Sequence, residues 1–151
     1  MPKETDIQAQ LETGLRFNVT SDSGATVTLD SAEYFDGQNV SFSPMEMLLA
    51  CLAGCIGISV ISVLRKKRQN VTSYGLHVHG IRSDEHPKVF LEISVQHIFT
   101  GQGIVQQAVE RSIELGETRY CGVSAMLSKT AKITHTYRII ESSASDNSRT
   151  S

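Results

Sequence analysis

Apolar and polar residues alternate in three short stretches near the N-terminus: Ile7-Gln8-Ala9-Gln10-Leu11, Leu15-Arg16-Phe17-Asn18-Val19 and Ala25-Thr26-Val27-Thr28-Leu29. A two-residue period is that of a strand with one buried face, and the turn cluster Ser21-Asp22-Ser23-Gly24 between the last two marks a hairpin. Three antiparallel strands are expected, preceded by a flexible segment over residues 1–6. Asp30 to Ser41 reads as a loop.

At Ser43 the pattern changes. Ser43 to Arg68 predicts one long helix, with Ser43 at the N-cap, Pro44 at the first helical position, Glu46 three residues after Ser43 as in a capping box, and a closing cluster Arg65-Lys66-Lys67-Arg68 against the negative end of the dipole. Between Met47 and Leu64 it carries no charge, so it must be covered all round by protein or by lipid. Cys51, Gly54, Cys55, Gly57, Ser59 and Ser62 dilute the run, which favours a buried central helix in protein over a membrane span.

Strand periodicity then returns in Val71 to Arg82 and Lys88 to Phe99, joined by Ser83-Asp84-Glu85-His86-Pro87. Tyr74, Leu76 and Val78 share one face of the first arm, with His77 and His79 on the other; Val89, Leu91, Ile93, Val95 and Phe99 share a face of the second. Gly101-Gln102-Gly103 breaks the strand and opens a second helix reaching about Glu117, followed by a short helix over Cys121 to Leu127 and a last strand, Lys132 to Ile140. Strands, long helix, hairpin, two helices and a strand make an α+β order, with one domain over 7–140 and a tail without fixed structure over 141–151.

Composition narrows the partners. With 14 basic and 16 acidic residues spread through 151, the net charge is −2, which offers no field for nucleic acid. Three cysteines are an odd number and no charged leader with an apolar core opens the chain, so the expectation is a reducing cytoplasm. His77, His79, His86, His97 and His135 lack the spacing of a metal site, and Gly101-x-Gly103 lacks the setting of a nucleotide loop, so neither metal nor cofactor is expected.

The remaining chemistry lies in the thiols. Cys51 reads as a small apolar residue, Cys55 as a mid-helix thiol that needs a nearby cation or donor to react, and Cys121 as a possible second thiol if its segment folds back on the long helix. Arg16, Arg111 and Arg119 are the candidate cations, although the ordinary reading of each is a solvated surface charge; Glu46 is explained by the cap.

Ser43-Pro44-Met45-Glu46-Met47-Leu48-Leu49-Ala50 with Ala53-Gly54-Cys55, then Ala108-Val109-Glu110-Arg111-Ser112 and Tyr120-Cys121-Gly122-Val123-Ser124, resemble the OsmC/Ohr family of osmotically inducible and organic hydroperoxide resistance proteins. The resemblance implies an intertwined homodimer with paired central helices and sites at the interface. It implies that Cys55 attacks an organic hydroperoxide, that Cys121 closes a disulfide, and that a dithiol reduces the pair. It also implies an N-terminal arginine, for which Arg16 is the candidate, and a glutamate where this chain has Met45, a departure that predicts slow turnover. The other function compatible with the resemblance is a non-enzymatic protein binding a small apolar or thiol-reactive ligand at the interface.

Overall fold

The computed structural model describes residues 2–31 and 41–143, which fall into two compact units dividing at Leu48 and Leu49. The expected loop over 30–41 and the tail over 141–151 lie largely outside the described residues.

The first unit is an antiparallel meander, β1 (Ile7–Thr13), β2 (Arg16–Ser21) and β3 (Thr26–Leu29), in that order across the sheet. Leu11 lies opposite Phe17 and Phe17 opposite Leu29; Ala9 lies opposite Val19 and Val19 opposite Val27. Cross-strand partners point to the same side, so these residues make one apolar face. On it Ile7 is 65%, Leu11 50% and Phe17 41% exposed. Phe42 joins the edge of this sheet by a parallel bridge to Leu29.

The long helix α1 spans Pro44–Lys66. Its start is the expected cap: the Glu46 N–H donates to Ser43 Oγ at 3.3 Å, and that hydroxyl donates to Glu46 Oε1 at 2.9 Å. At its end Arg68 takes φ +56°, Gln69 N donates to Leu64 O and Arg68 N to Arg65 O, the paired bonds of a Schellman close made by a non-glycine residue.

The second unit holds a three-stranded sheet of β4 (Asn70–Arg82), β5 (Phe90–Gln102) and β6 (Lys132–Glu141) in that order. The hairpin β4–β5 is antiparallel, whereas β6 lies parallel to β5. Parallel pairing needs a crossover, and it is supplied by α2 (Gln106–Leu115), a π-helical turn (Gly116–Tyr120) and α3 (Gly122–Leu127). Leu52, Ile56, Val60 and Leu64, spaced by four along α1, are fully buried with Ile93, Val95 and Phe99 of β5 and Val109 of α2.

Small residues let α1 lie close to this sheet. A Cβ on Gly57 would stand 3.2 Å from Leu76 Cδ1, and one on Gly80 would meet the Phe90 ring at 2.6 Å. Gly80 accounts for a departure from the expected pattern. The register slips between Ile81 and Arg82, so that Arg82 faces Phe90 and Ile81 faces Glu92. Phe90 turns inward over Gly80, and Leu91, expected in the core, is 49% exposed. By length and composition α1 could cross a bilayer, a test that apolar core helices also pass; 28% of its most apolar stretch is buried within one chain. Cys51, Gly54, Ile58 and Ser62 form its open stripe.

Candidate functional site

Cys55 lies in mid-α1, half-buried between the open stripe and the packed face. Cys121 reaches it through the π-helical turn. After Leu115 the helix widens, and Cys121 N donates to Gly116 O at 2.9 Å, five residues back. Gly116 presses on α1 immediately after Cys55: a Cβ there would stand 3.3 Å from Val60 Cγ2, 3.6 Å from Ser59 Cβ and 3.9 Å from Ile56 O. The chain then extends at Cys121, with φ −91° and ψ 103°, and the Cys121 Sγ caps α3 by accepting from Ser124 N at 3.2 Å.

The two thiols interact. Burial pushes the Cys121 thiol up to about 11, and a side-chain hydrogen bond with Cys55 and the mutual repulsion of the two as thiolates push the same way, against the Ser124 and Val123 N–H groups. Near neutral pH Cys121, 3% exposed, is therefore a protonated donor beside a more accessible Cys55. Cys51, expected as a buried apolar residue, is exposed on the open stripe; all three cysteines are free.

The candidate cations divide. Arg16 Nε lies 3.1 Å from Asp30 Oδ2, with Asp30 9% exposed and its other oxygen accepting from Ser31 N at 2.7 Å. Sequence reasoning missed Asp30, which opens the loop that follows β3 and carries no motif. Arg111 pairs with Glu114 one helical turn on, both exposed, and Arg119 lies 5.6 Å over the Tyr120 ring. Both are surface charges. Met45 is half-buried in the first turn of α1.

Among the histidines, His77 and His79 face outward as expected, while His97 is fully buried. Its place two residues from Val95 and from Phe99 is the signal that could have found it. Tyr74 Oη is 2.7 Å from His97 Nδ1, and His97 Nε2 is 3.0 Å from His135 Nδ1. His135 Nε2, buried without a hydrogen-bond partner among the described residues, faces Glu117 Oε2 at 3.9 Å. Burial pushes His97 down to about 4, helped by the charge of His135; burial also lowers His135, against the pull of Glu117, and raises Tyr74 well above the usual phenol range. No group of three His, Cys, Asp or Glu side chains that could hold a metal occurs among the described residues.

Known proteins are similar to this chain in sequence and in fold. A family model described as OsmC-like protein matches residues 36–136. Protein YhfA of Escherichia coli K12 is 35% identical over 127 residues, which are 84% of this chain and 92% of that protein. The crystal structure of an OsmC-like protein from Mycoplasma pneumoniae superposes with a TM-score of 0.79 at 21% identity, covering 93% of this chain and 99% of the other. The organic hydroperoxide resistance protein OhrB of Bacillus subtilis does so with a TM-score of 0.62 at 14% identity, over 90% and 98%.

Proposed function

This chain belongs to the OsmC-like protein family, and from that premise we propose that it reduces organic hydroperoxides with a thiol pair, Cys55 attacking and Cys121 resolving. What supports this reading is a half-buried Cys55 in the same helix that Gly116 presses on, with a buried Cys121 whose thiol burial and then Cys55 push up to about 11. Fold likeness to an organic hydroperoxide resistance protein agrees with it.

The Cys55 thiolate attacks the outer peroxide oxygen; an S–O bond forms, O–O breaks, and the alkoxide leaves as an alcohol on gaining a proton, with Cys55 oxidised to a sulfenic acid. Cys121 sulfur then attacks Cys55 sulfur, S–S forms, S–O breaks, and the hydroxyl departs as water with the Cys121 proton. A dithiol reduces the bridge and is itself oxidised to a disulfide. A pKa of about 11 makes Cys121 a poor attacker on peroxide at neutral pH and a proton source for the departing hydroxyl.

Arg16 is the candidate cation for Cys55. Its guanidinium is held by Asp30, so this chain has a carboxylate partner for Arg16 although position 45 carries a methionine. The protein acts in the reducing cytoplasm as a homodimer, with no cofactor, metal, nucleic acid or membrane. The open apolar faces of the β1–β3 sheet and of α1 support the dimer, because a second copy can cover both.

Consumption of cumene hydroperoxide with dithiothreitol tests the activity. Wild type should turn over, and Cys55→Ser should lose activity by about 100-fold or more, the scale of removing an attacking group. Equal rates would remove the peroxidase reading in favour of an OsmC-like protein that binds a small apolar or thiol-reactive ligand.

A further inference from the structure

The thiol reading leaves unused a polar chain of the second unit that runs through the fully buried His97: Tyr74–His97–His135–Glu117. We propose that these four side chains are one positioning unit that holds the Cys121 segment against Cys55, with Glu117 and His135 as its grip on the π-helical turn. The claim rests on the thiol reading for what the turn delivers, and on geometry for how the turn is held.

Both ends of the chain touch the segments that carry the cysteines. Glu117 is the second residue of the π-helical turn, next to Gly116, whose missing side chain lets the turn press on α1 at Ile56, Ser59 and Val60. Tyr74 lies under α1 at the other end, with Cε1 at 3.9 Å from where a Cβ of Gly57 would stand. Between them His97 is stacked with Tyr74 and Phe99 at ring separations of 5.9 and 6.0 Å, and with His135 at 5.2 Å. The rings cannot swing without disturbing the β5 core.

A second strut runs beside this one. His135 and Tyr137 point to the same side of β6, and their acidic partners, Glu117 and Glu110, are seven residues apart, two helical turns along the crossover. The Tyr137 hydroxyl donates to Glu110 Oε1 at 2.7 Å, so β6 holds α2 by a hydrogen bond, while His135 faces the turn that follows it across 3.9 Å.

The protons in the chain can be assigned from its ends. The Glu117 carboxylate stands 3.9 Å from His135 Nε2, beyond hydrogen-bond reach, and its field favours a proton on that nitrogen, which leaves Nδ1 of a neutral His135 to accept. His97 then donates from Nε2, its Nδ1 accepts, and Tyr74 donates its hydroxyl proton. Every proton of the chain then points toward the π-helical turn, in agreement with burial favouring the neutral forms of both histidines and of Tyr74. This order aligns the dipoles of the chain on the Glu117 carboxylate.

Two measurements test the claim. Long-range proton–nitrogen correlation on the nitrogen-labelled full chain at neutral pH should show both His97 and His135 as neutral Nε2–H tautomers; a proton on Nδ1 of His135 would overturn the assignment. Glu117 is 40% exposed, so its variants should fold. Glu117→Ala should slow capture of the Cys55 sulfenic acid by Cys121 about tenfold, while Glu117→Asp, which keeps the carboxylate charge facing His135, should stay within about threefold of wild type. Sulfenic acid formation, trapped with dimedone, should be unchanged in both. If wild type captures and Glu117→Ala matches it, the positioning claim alone fails. If wild type forms no Cys55–Cys121 bond, the thiol reading fails and takes the delivery claim with it.

Discussion

A single side chain, His97, links burial to pH. Its pKa falls to about 4 through burial and the neighbouring His135, so the folded protein leaves it neutral where the unfolded chain would bind a proton. A depressed folded value means that its stabilising contribution is whole above about 6.5 and fades as pH falls toward 4; His135 is shifted in the same sense. From pH 7 to 4.5 this one group should remove about 2 kcal/mol of stability. Denaturant titration of wild type and His97→Gln at the two pH values checks this: the variant should lose less on acidification, and an equal loss in both would contradict it. Cys121 works in the opposite window, its raised pKa withdrawing stability as pH climbs from the ordinary thiol value toward 11. At this scale the sequence was informative where a motif framed the residue, as at Cys55 and Cys121. It was silent where a pairing depends on the path of the chain. Nothing local marks Asp30 as the partner of Arg16, fourteen positions away. His97 was legible by parity alone, since it shares the two-residue period of Val95 and Phe99.

Element by element, periodicity located the strands and helices because each has one apolar side that must be buried, and the Ser43 cap and the Lys/Arg-rich end bounded α1 closely. Two features escaped. The helix expected to run to about Glu117 ends at Leu115 and continues as a π-helical turn, since Gly116 must meet α1 while Cys121 turns back toward Cys55. Hydrophobic spacing averages over the turn and does not register one extra residue in a hydrogen-bonded loop. The slip between Ile81 and Arg82 was hidden in the same way, because alternation in each strand says nothing about which residues face each other across the pair. The parallel partner of β5 also had to come from the structure, where the crossover through α2 and α3 carries the chain from the end of β5 back to the start of β6.

For the molecule as a whole, large apolar side chains stand exposed in each unit: Ile58 of α1 is 69% exposed, and Ile7, Leu11 and Phe17 on one face of the β1–β3 sheet are 65%, 50% and 41% exposed. A three-stranded sheet with a bare apolar side is marginal in water, which is why a homodimer is the proposed working form. Light scattering should return about twice 16.5 kDa at micromolar concentration, and a stable monomer would contradict it. The central claim concerns what the assembled protein does with its thiols, and it meets its most direct test in peptide mapping after one equivalent of cumene hydroperoxide. The expected product is a Cys55–Cys121 bridge within one chain, reversed by dithiothreitol, with Cys51 still reduced. A bridge containing Cys51, or Cys55 oxidised beyond the sulfenic acid beside a reduced Cys121, would contradict it.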